Sequence, residues 1–250
     1  MAAPEHLKAL KERADQRACT SSAAGTMVLD RESFQHNLDL RGTAITLRTI
    51  AMTAIPLTKS EIDLAIPRVA DGLTKYAWLQ RNRDMSDLCR NPEYQKRFNN
   101  FYRLRRNKPW RDRFYELLEN VKGTHPGFGE ILEELRRATN CYEASFASKL
   151  LATVDENMPV IDSVVLRNLK LRLPPPTSRH RSARIEQLHA DLLSEFRRFL
   201  ATDDGRYLVS KFRAAYPGQA ISEIKMLDLV LWQTRKDRSN PSSRRRTSTG

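Results

Sequence analysis

Signals for the start of a helix recur along this chain from Thr58 onward, and each is followed by apolar residues at the spacing of one helix face. Residues 58–61 read TKSE, which is a capping box, and Asn91-Pro92 combines an N-cap residue with a proline at the first helical position. A strand would need alternating apolar and polar residues instead, so the pattern predicts an all-α fold. Further helices are predicted from Asn107 to about 121, from Gly127 to Thr139, and over about 162–169, 183–201, 204–215 and 222–235.

Three helices carry apolar or aromatic stripes, which indicate the faces that form the core. Asn140 and Glu143 have the spacing of a second capping box, and this predicts that a helix begins at Asn140. The stripes consist of Tyr94, Phe98, Phe101, Tyr102 and Arg105, of Trp110, Phe114, Leu117, Leu118 and Val121, and of Phe146, Ala147, Leu150, Leu151 and Val154.

The composition divides the chain into three parts: a flexible segment over 1–26, a helical domain over 27–237, and a basic tail over 238–250. With 250 residues, 40% of them hydrophobic, the chain is long enough for one sizeable core. A proline-rich link over 174–181 predicts two lobes within the domain, although the last helices fit the same core. Residues 43–50 (TAITLRTI) fit a strand or a buried helix, and both remain open.

The cysteines and the N-terminus exclude several classes of protein. Cys19, Cys89 and Cys141 are scattered and odd in number, so they indicate neither disulfides, nor a zinc site, nor an iron–sulfur cluster. We expect no metal and no cofactor. No apolar run approaches the roughly 20 residues of a membrane helix, and the N-terminus lacks a signal region. We therefore expect a cytoplasmic monomer without membrane contact.

A net charge of +13 points to a polyanionic partner. Residues 1–20 contribute +1 and residues 235–250 contribute +5, which leaves +7 for the rest of the chain. Because the body is basic without its tails, a nucleic acid is the favoured partner. Charge alone does not distinguish DNA from RNA.

The segment around Asp162 contains the candidate catalytic carboxylate. An apolar helix leads into the loop Met158-Pro159-Val160-Ile161, and Asp162 then stands at the start of a new helix. The helix dipole and unpaired N–H groups favour the ionised carboxylate at that position. An ordinary N-cap aspartate has the same placement, so spacing alone leaves both interpretations open.

The loop and the helices on either side resemble the end of the helix-hairpin-helix region in DNA glycosylases of the MutY, endonuclease III and 8-oxoguanine glycosylase superfamily. Pro159-Val160-Ile161-Asp162 matches the pattern of proline, two hydrophobic residues and aspartate that closes this motif. The closest similarity is to a poorly characterised bacterial branch like the 8-oxoguanine type. The resemblance implies a two-lobed helical bundle in which Asp162 is the catalytic carboxylate that stabilises an oxocarbenium-like sugar.

Two departures from the superfamily pattern affect the expected chemistry. Residues 138–144 (ATNCYEA) lack the glycines whose amides hold a DNA phosphate, so the hairpin is degenerate. Glu143 stands 19 residues before Asp162, where bifunctional members have a lysine nucleophile. We therefore expect a monofunctional enzyme, with Lys149 as the one candidate lyase amine. Because Lys149 lies opposite the apolar stripe, it is expected to face solvent or to contact phosphate.

The last helix supplies candidates for base binding. The segment around Trp232 is similar to the terminal helix of 8-oxoguanine glycosylases, which implies that Trp232 stacks on an extruded base. A core tryptophan is the alternative. Asp228 lies on the same face as apolar residues, so its carboxylate needs a partner. That partner is either an amino group of the base or a structural cation, for which Arg105 is a candidate.

Arg103 and Arg106 point away from the aromatic stripe and are candidate phosphate contacts or a solvated basic face. The resulting hypothesis is a DNA glycosylase that flips a damaged or modified base out of double-stranded DNA, excises it and leaves an abasic site. Its target could also be modified phage DNA, in antiviral defence. Two alternatives remain: a non-catalytic DNA- or RNA-binding module on the same fold, and a helical interaction protein in which Asp162 is only a cap.

Overall fold

A computed structural model describes residues 55–234, and the architecture there is helical throughout, as the sequence predicts. A 3₁₀ segment, Ile66–Val69, follows the first helix directly. The α-helices are α1 (Lys59–Ala65), α2 (Ala70–Arg83), α3 (Pro92–Tyr102), α4 (Lys108–Val121), α5 (Phe128–Thr139), α6 (Ala144–Val154), α7 (Ser163–Asn168), α8 (Arg181–Leu200), α9 (Asp203–Ala215) and α10 (Glu223–Gln233).

Side chains that accept hydrogen bonds from the first-turn amides begin several helices. Thr58 accepts from the Glu61 amide at the start of α1, and the Glu61 carboxylate accepts in return from the Thr58 amide. Asn91 and Asn107 begin α3 and α4 in the same way, each followed within two positions by a proline. The N-caps predicted at these three positions are confirmed.

The start of α6 differs from the prediction. Asn140 does not begin α6 but ends α5, with φ of 57° and its amide bonded to the Arg136 carbonyl oxygen. Asparagine is one of the few residues besides glycine that tolerates this left-handed conformation at a helix C-terminus. Glu143 is the residue before α6, but its side chain makes no capping bond. The predicted capping box is therefore wrong, and a turn without glycine connects the two helices.

The packing of the helices brings the end of the described chain back to its beginning. Helices α9 and α10 lie against α1 and the 3₁₀ segment, and α8 contacts α5, α9 and α10. Helix α5 also packs along α6, and α10 packs against the short α7. One continuous cluster of buried apolar residues extends from Ile55 to Leu231. The loop before α7 is thus surrounded by α6, α8 and α10, where the candidate residues lie.

Some sequence predictions fall outside the described residues. These are the flexible segment 1–26, the ambiguous run at 43–50 and the basic tail 238–250. Between residues 55 and 234, no helix is both long and apolar enough to cross a membrane.

Candidate active site

The loop that ends at Asp162 is fixed to three helices. Ser148 in α6 accepts a hydrogen bond from the Ile161 amide at 2.9 Å. His189 in α8 lies 3.1 Å from the Pro159 carbonyl oxygen through Nε2, and Ser222, the N-cap of α10, donates to the Glu156 carbonyl oxygen at 2.6 Å. These contacts hold the loop in place and so fix the position of Asp162, which follows Ile161.

Asp162 is the N-cap of α7, as predicted, and only one of its two carboxylate oxygens accepts a hydrogen bond within residues 55–234. Its Oδ1 accepts from the Val164 amide at 2.8 Å. Within residues 55–234, Oδ2 has no hydrogen bond and the carboxylate has no ion pair. The side chain is half-buried. One oxygen therefore positions the group, and the other is available to interact with positive charge.

The contact between His189 and Pro159 makes stability depend on pH. His189 is buried and stacks on Phe128 with ring centroids 4.0 Å apart. Burial lowers its pKa from 6.5 to about 4, although the bond to Pro159 acts against this. The neutral ring donates its Nε2 proton to the carbonyl oxygen. Between these two pKa values the unfolded chain binds a proton that the folded chain does not, so stability falls as the pH is lowered.

We expect the free energy of unfolding to decrease by about 2 kcal/mol between about pH 7 and pH 5 because of His189. Urea unfolding at the two pH values measures this difference. His189→Gln should reduce the difference, whereas His125→Gln, which changes an exposed histidine, should leave it intact. An equal pH dependence in wild type and His189→Gln would refute the assignment.

Lys149 is not solvent-exposed, which corrects the prediction from its position on the helix. Its side chain is buried, with 7% relative exposure, and its Nζ lies 5.1 Å from the centroid of the Phe146 ring. Burial lowers the pKa of Lys149. The charges of Asp162 and Asp228 act in the opposite direction, and that of Arg103 adds to the lowering. The amine therefore lies within electrostatic reach of both candidate carboxylates.

Asp228 is paired with Lys225, and not with Arg105, which was the candidate cation from the sequence. Lys225 lies one turn earlier in α10, and its Nζ is 2.8 Å from Oδ2 of Asp228. Both side chains are 1% exposed. Burial raises the pKa of Asp228, although the Lys225 ammonium opposes this. Arg105 lies beyond the end of α3 and is exposed, so it does not continue the aromatic stripe.

Oδ1 of Asp228 is buried and has no hydrogen-bond partner among the described residues. The sequence indicates that this carboxylate needs a partner. The Lys225 ammonium donates to only one of its two oxygens, Oδ2. The second oxygen remains as an acceptor inside the fold.

Trp232 is half-buried beside the aromatic stripe of α3. Its ring centroid lies 5.4 Å from that of Phe101 and 6.3 Å from that of Tyr102. Its Nε1 is buried without a hydrogen-bond partner in the described part of the chain. The ring therefore packs against the aromatic core while the residue as a whole keeps some exposure, which fits both the core role and the stacking role considered from the sequence.

Arg103 and Arg106 differ in whether their guanidinium groups are paired with a carboxylate. Arg103 ends α3 with φ of 53° and is exposed, without a hydrogen bond or ion pair inside 55–234. Nη2 of Arg106 donates to both carboxylate oxygens of Glu143, at 2.8 and 3.0 Å. This pair links the segment before α4 to the turn before α6. Arg103 is the better candidate phosphate contact, because the charge of Arg106 is already balanced.

The charge of Lys149 therefore interacts with those of Asp162, Asp228 and Arg103, and the charges of the two carboxylates also interact with each other. Among residues 55–234, no group of three or more His, Cys, Asp or Glu side chains could hold a metal ion. A separate surface pocket, to which none of the candidate residues contributes, is lined by Ala70, Leu73, Thr74, Ala77, Arg81, Tyr216 and Gln219.

Comparisons of this chain with protein-family models, with curated proteins and with solved structures found no match.

Proposed function

We propose that this chain is a monofunctional DNA glycosylase that acts as a monomer in the cytoplasm. It binds double-stranded DNA, flips out a damaged or modified base and cleaves the bond between that base and its sugar. The observation that carries the proposal is the carboxylate of Asp162. Its Oδ1 is bonded to the Val164 amide, its Oδ2 has no hydrogen bond within residues 55–234, and the loop before it is held by contacts to α6, α8 and α10. The basic body of the chain supports DNA as the substrate.

The chemistry requires little more than a fixed negative charge and a water molecule. As the bond from C1′ to the base nitrogen lengthens, positive charge develops on the sugar, and Oδ2 of Asp162 stabilises it. Water then adds its oxygen to C1′ and transfers a proton to Asp162. The base leaves with the electrons of the broken bond and takes up a proton. The product is an abasic site in an intact strand.

The direct test is base release from a panel of labelled duplexes. We would include 8-oxoguanine, uracil, hypoxanthine, 5-hydroxymethylcytosine and its glucosylated form, because modified phage DNA is among the proposed targets. Hot alkali cleaves abasic sites and so converts base release into a shorter labelled strand. Release from at least one duplex is expected. Binding without release from any duplex would instead support the non-catalytic DNA- or RNA-binding module.

The observation that favours this alternative is the turn between α5 and α6. It has no glycine, and Glu143 within it is bonded to Arg106, so the turn presents a neutralised surface where the superfamily binds a phosphate. The proposed enzyme must therefore hold DNA through other cations, of which Arg103 is one.

We expect the reaction to stop at the abasic site. A lyase needs an amine that forms a Schiff base with the sugar carbon. Under the resemblance, the spacing from Asp162 puts Glu143 where that amine would be, and the Glu143 carboxylate accepts a hydrogen bond from Arg106. Borohydride added during turnover should therefore trap no covalent protein–DNA adduct, and the strand should stay intact until alkali is added. A trapped adduct that disappears in Lys149→Gln would contradict this and identify Lys149 as a nucleophile.

A further inference from the structure

Helix α6 contains a buried amine, Lys149, whose one described contact is with the ring of Phe146, 5.1 Å from the centroid. Lys149 is 7% exposed, and within residues 55–234 its Nζ has neither a hydrogen bond nor an ion pair. A buried ammonium group is costly unless something compensates it. Lys225, the other buried lysine among residues 55–234, is compensated by Asp228 at 2.8 Å. The structural explanation that accounts for Lys225 therefore does not apply to Lys149.

The charged groups around Lys149 come from three different elements. Asp162 precedes α7, Asp228 belongs to α10, and Arg103 ends α3. In the proposed reaction Asp162 faces the sugar, while Asp228 and Trp232 in α10 are the candidates for contact with the base. In that arrangement, an amine that interacts electrostatically with both carboxylates belongs to the same site as the bond that is broken.

We infer, on the basis of the proposed glycosylase activity, that the Lys149 ammonium hydrogen-bonds to the departing base and protonates it. The electrons of the C1′–nitrogen bond remain on the base, and one proton passes from Nζ to an acceptor atom of the base. Water adds to C1′ and gives its own proton to Asp162. Lys149 regains a proton from solvent and Asp162 loses one, which restores the starting state.

The position of Lys149 fits this role. Within α6 it follows Ser148, whose hydroxyl oxygen accepts from the Ile161 amide at 2.9 Å, so the helix is attached here to the loop that ends at Asp162. Lys149 is also within electrostatic reach of Asp228 in the candidate base-binding helix. Burial lowers the pKa of Lys149, which makes the ammonium a stronger acid than an exposed lysine.

The test is the rate of base release in Lys149→Met, which removes the charge but keeps an unbranched side chain. Single-turnover rates are measured from about pH 6 to pH 10 on every duplex of the panel that the wild type processes. We expect a decrease of about 10²-fold or more. The wild-type rate should fall on the alkaline side as Lys149 loses its proton, and this fall should be absent in the variant.

Controls separate this role from a structural one. Thermal unfolding should show Lys149→Met to be folded, and fluorescence polarisation should show that it binds each duplex. Lys75→Met, which removes an exposed lysine in α2, should retain the wild-type rate and pH profile. A lower rate with an unchanged pH profile would overturn the inference, as would a borohydride adduct that depends on Lys149.

Failure of this inference is distinguishable from failure of the proposed function. If the wild type releases bases but Lys149→Met does so at the wild-type rate, only the role of Lys149 is wrong. If the wild type releases no base from any duplex, the glycosylase proposal fails and the inference fails with it.

Discussion

Asp162→Asn is expected to reduce base release by about 10³-fold or more, while the protein remains folded and binds DNA. The asparagine side chain keeps the oxygen that accepts from the Val164 amide, and asparagine is as good an N-cap as aspartate. What the substitution removes is the negative charge on Oδ2, the atom assigned to the developing positive charge of the sugar. Single-turnover release from the best duplex of the panel measures the effect.

Asp155→Asn is a matched control for the loss of one negative charge in the same loop. Oδ1 of Asp155 accepts from the Asn157 amide at 2.9 Å, and an asparagine oxygen can also accept that bond. Both variants change the net charge by the same amount, so long-range effects on DNA affinity should be alike. Wild-type activity in Asp162→Asn would show that the carboxylate acts only as a cap, and equal losses in both variants would indicate a general charge effect.

The parts of the fold that depend on local interactions were predictable. The capping residues Thr58, Asn91, Asn107 and Asp162 act as the sequence indicates, because each bond joins residues only two or three positions apart. The same reasoning failed at Asn140, since asparagine suits both the start and the end of a helix. The sequence therefore leaves the two roles open, and the structure shows that Asn140 ends α5.

The position of Lys149 opposite the apolar stripe of α6 predicts that its side chain is exposed, but the side chain is buried. Helix α6 buries eight of its residues, including Ser148 and Thr153, so it has almost no exposed face. The signal was present in the sequence, because Lys149 is the only charged residue between Ala144 and Val154. A helix that is apolar nearly all round is a buried helix.

Two ion pairs illustrate which partners a sequence can and cannot reveal. Lys225 stands three residues before Asp228, a spacing that places the two side chains together on any helix. The spacing alone therefore indicates this pair, whereas the candidate Arg105 is far away in the sequence and exposed. The bond between Arg106 and Glu143 joins residues 37 positions apart and depends on how α4 and α6 pack. No local pattern predicts it.

DNA affinity is expected to depend steeply on salt, because lysine and arginine displace condensed cations from the phosphate backbone. If about five phosphates are neutralised, raising the salt from about 50 to about 200 mM should weaken binding roughly 500-fold. Fluorescence polarisation with one labelled duplex gives the slope of log affinity against log salt. An affinity that does not change with ionic strength would exclude the nucleic-acid interpretation, whatever the total charge of the chain.

The two arginines provide an internal comparison for this slope. Arg103→Gln should lower its magnitude by about 0.9, the value for one phosphate contact, because the guanidinium is exposed and unpaired among residues 55–234. Arg106→Gln should change it less, because Glu143 already balances that charge. Deletion of residues 238–250, which removes four arginines, should weaken binding without abolishing it, since the remaining chain is still basic. A larger change in Arg106→Gln than in Arg103→Gln would mean that DNA displaces Glu143 from Arg106, and the turn before α6 would then be part of the DNA-binding surface.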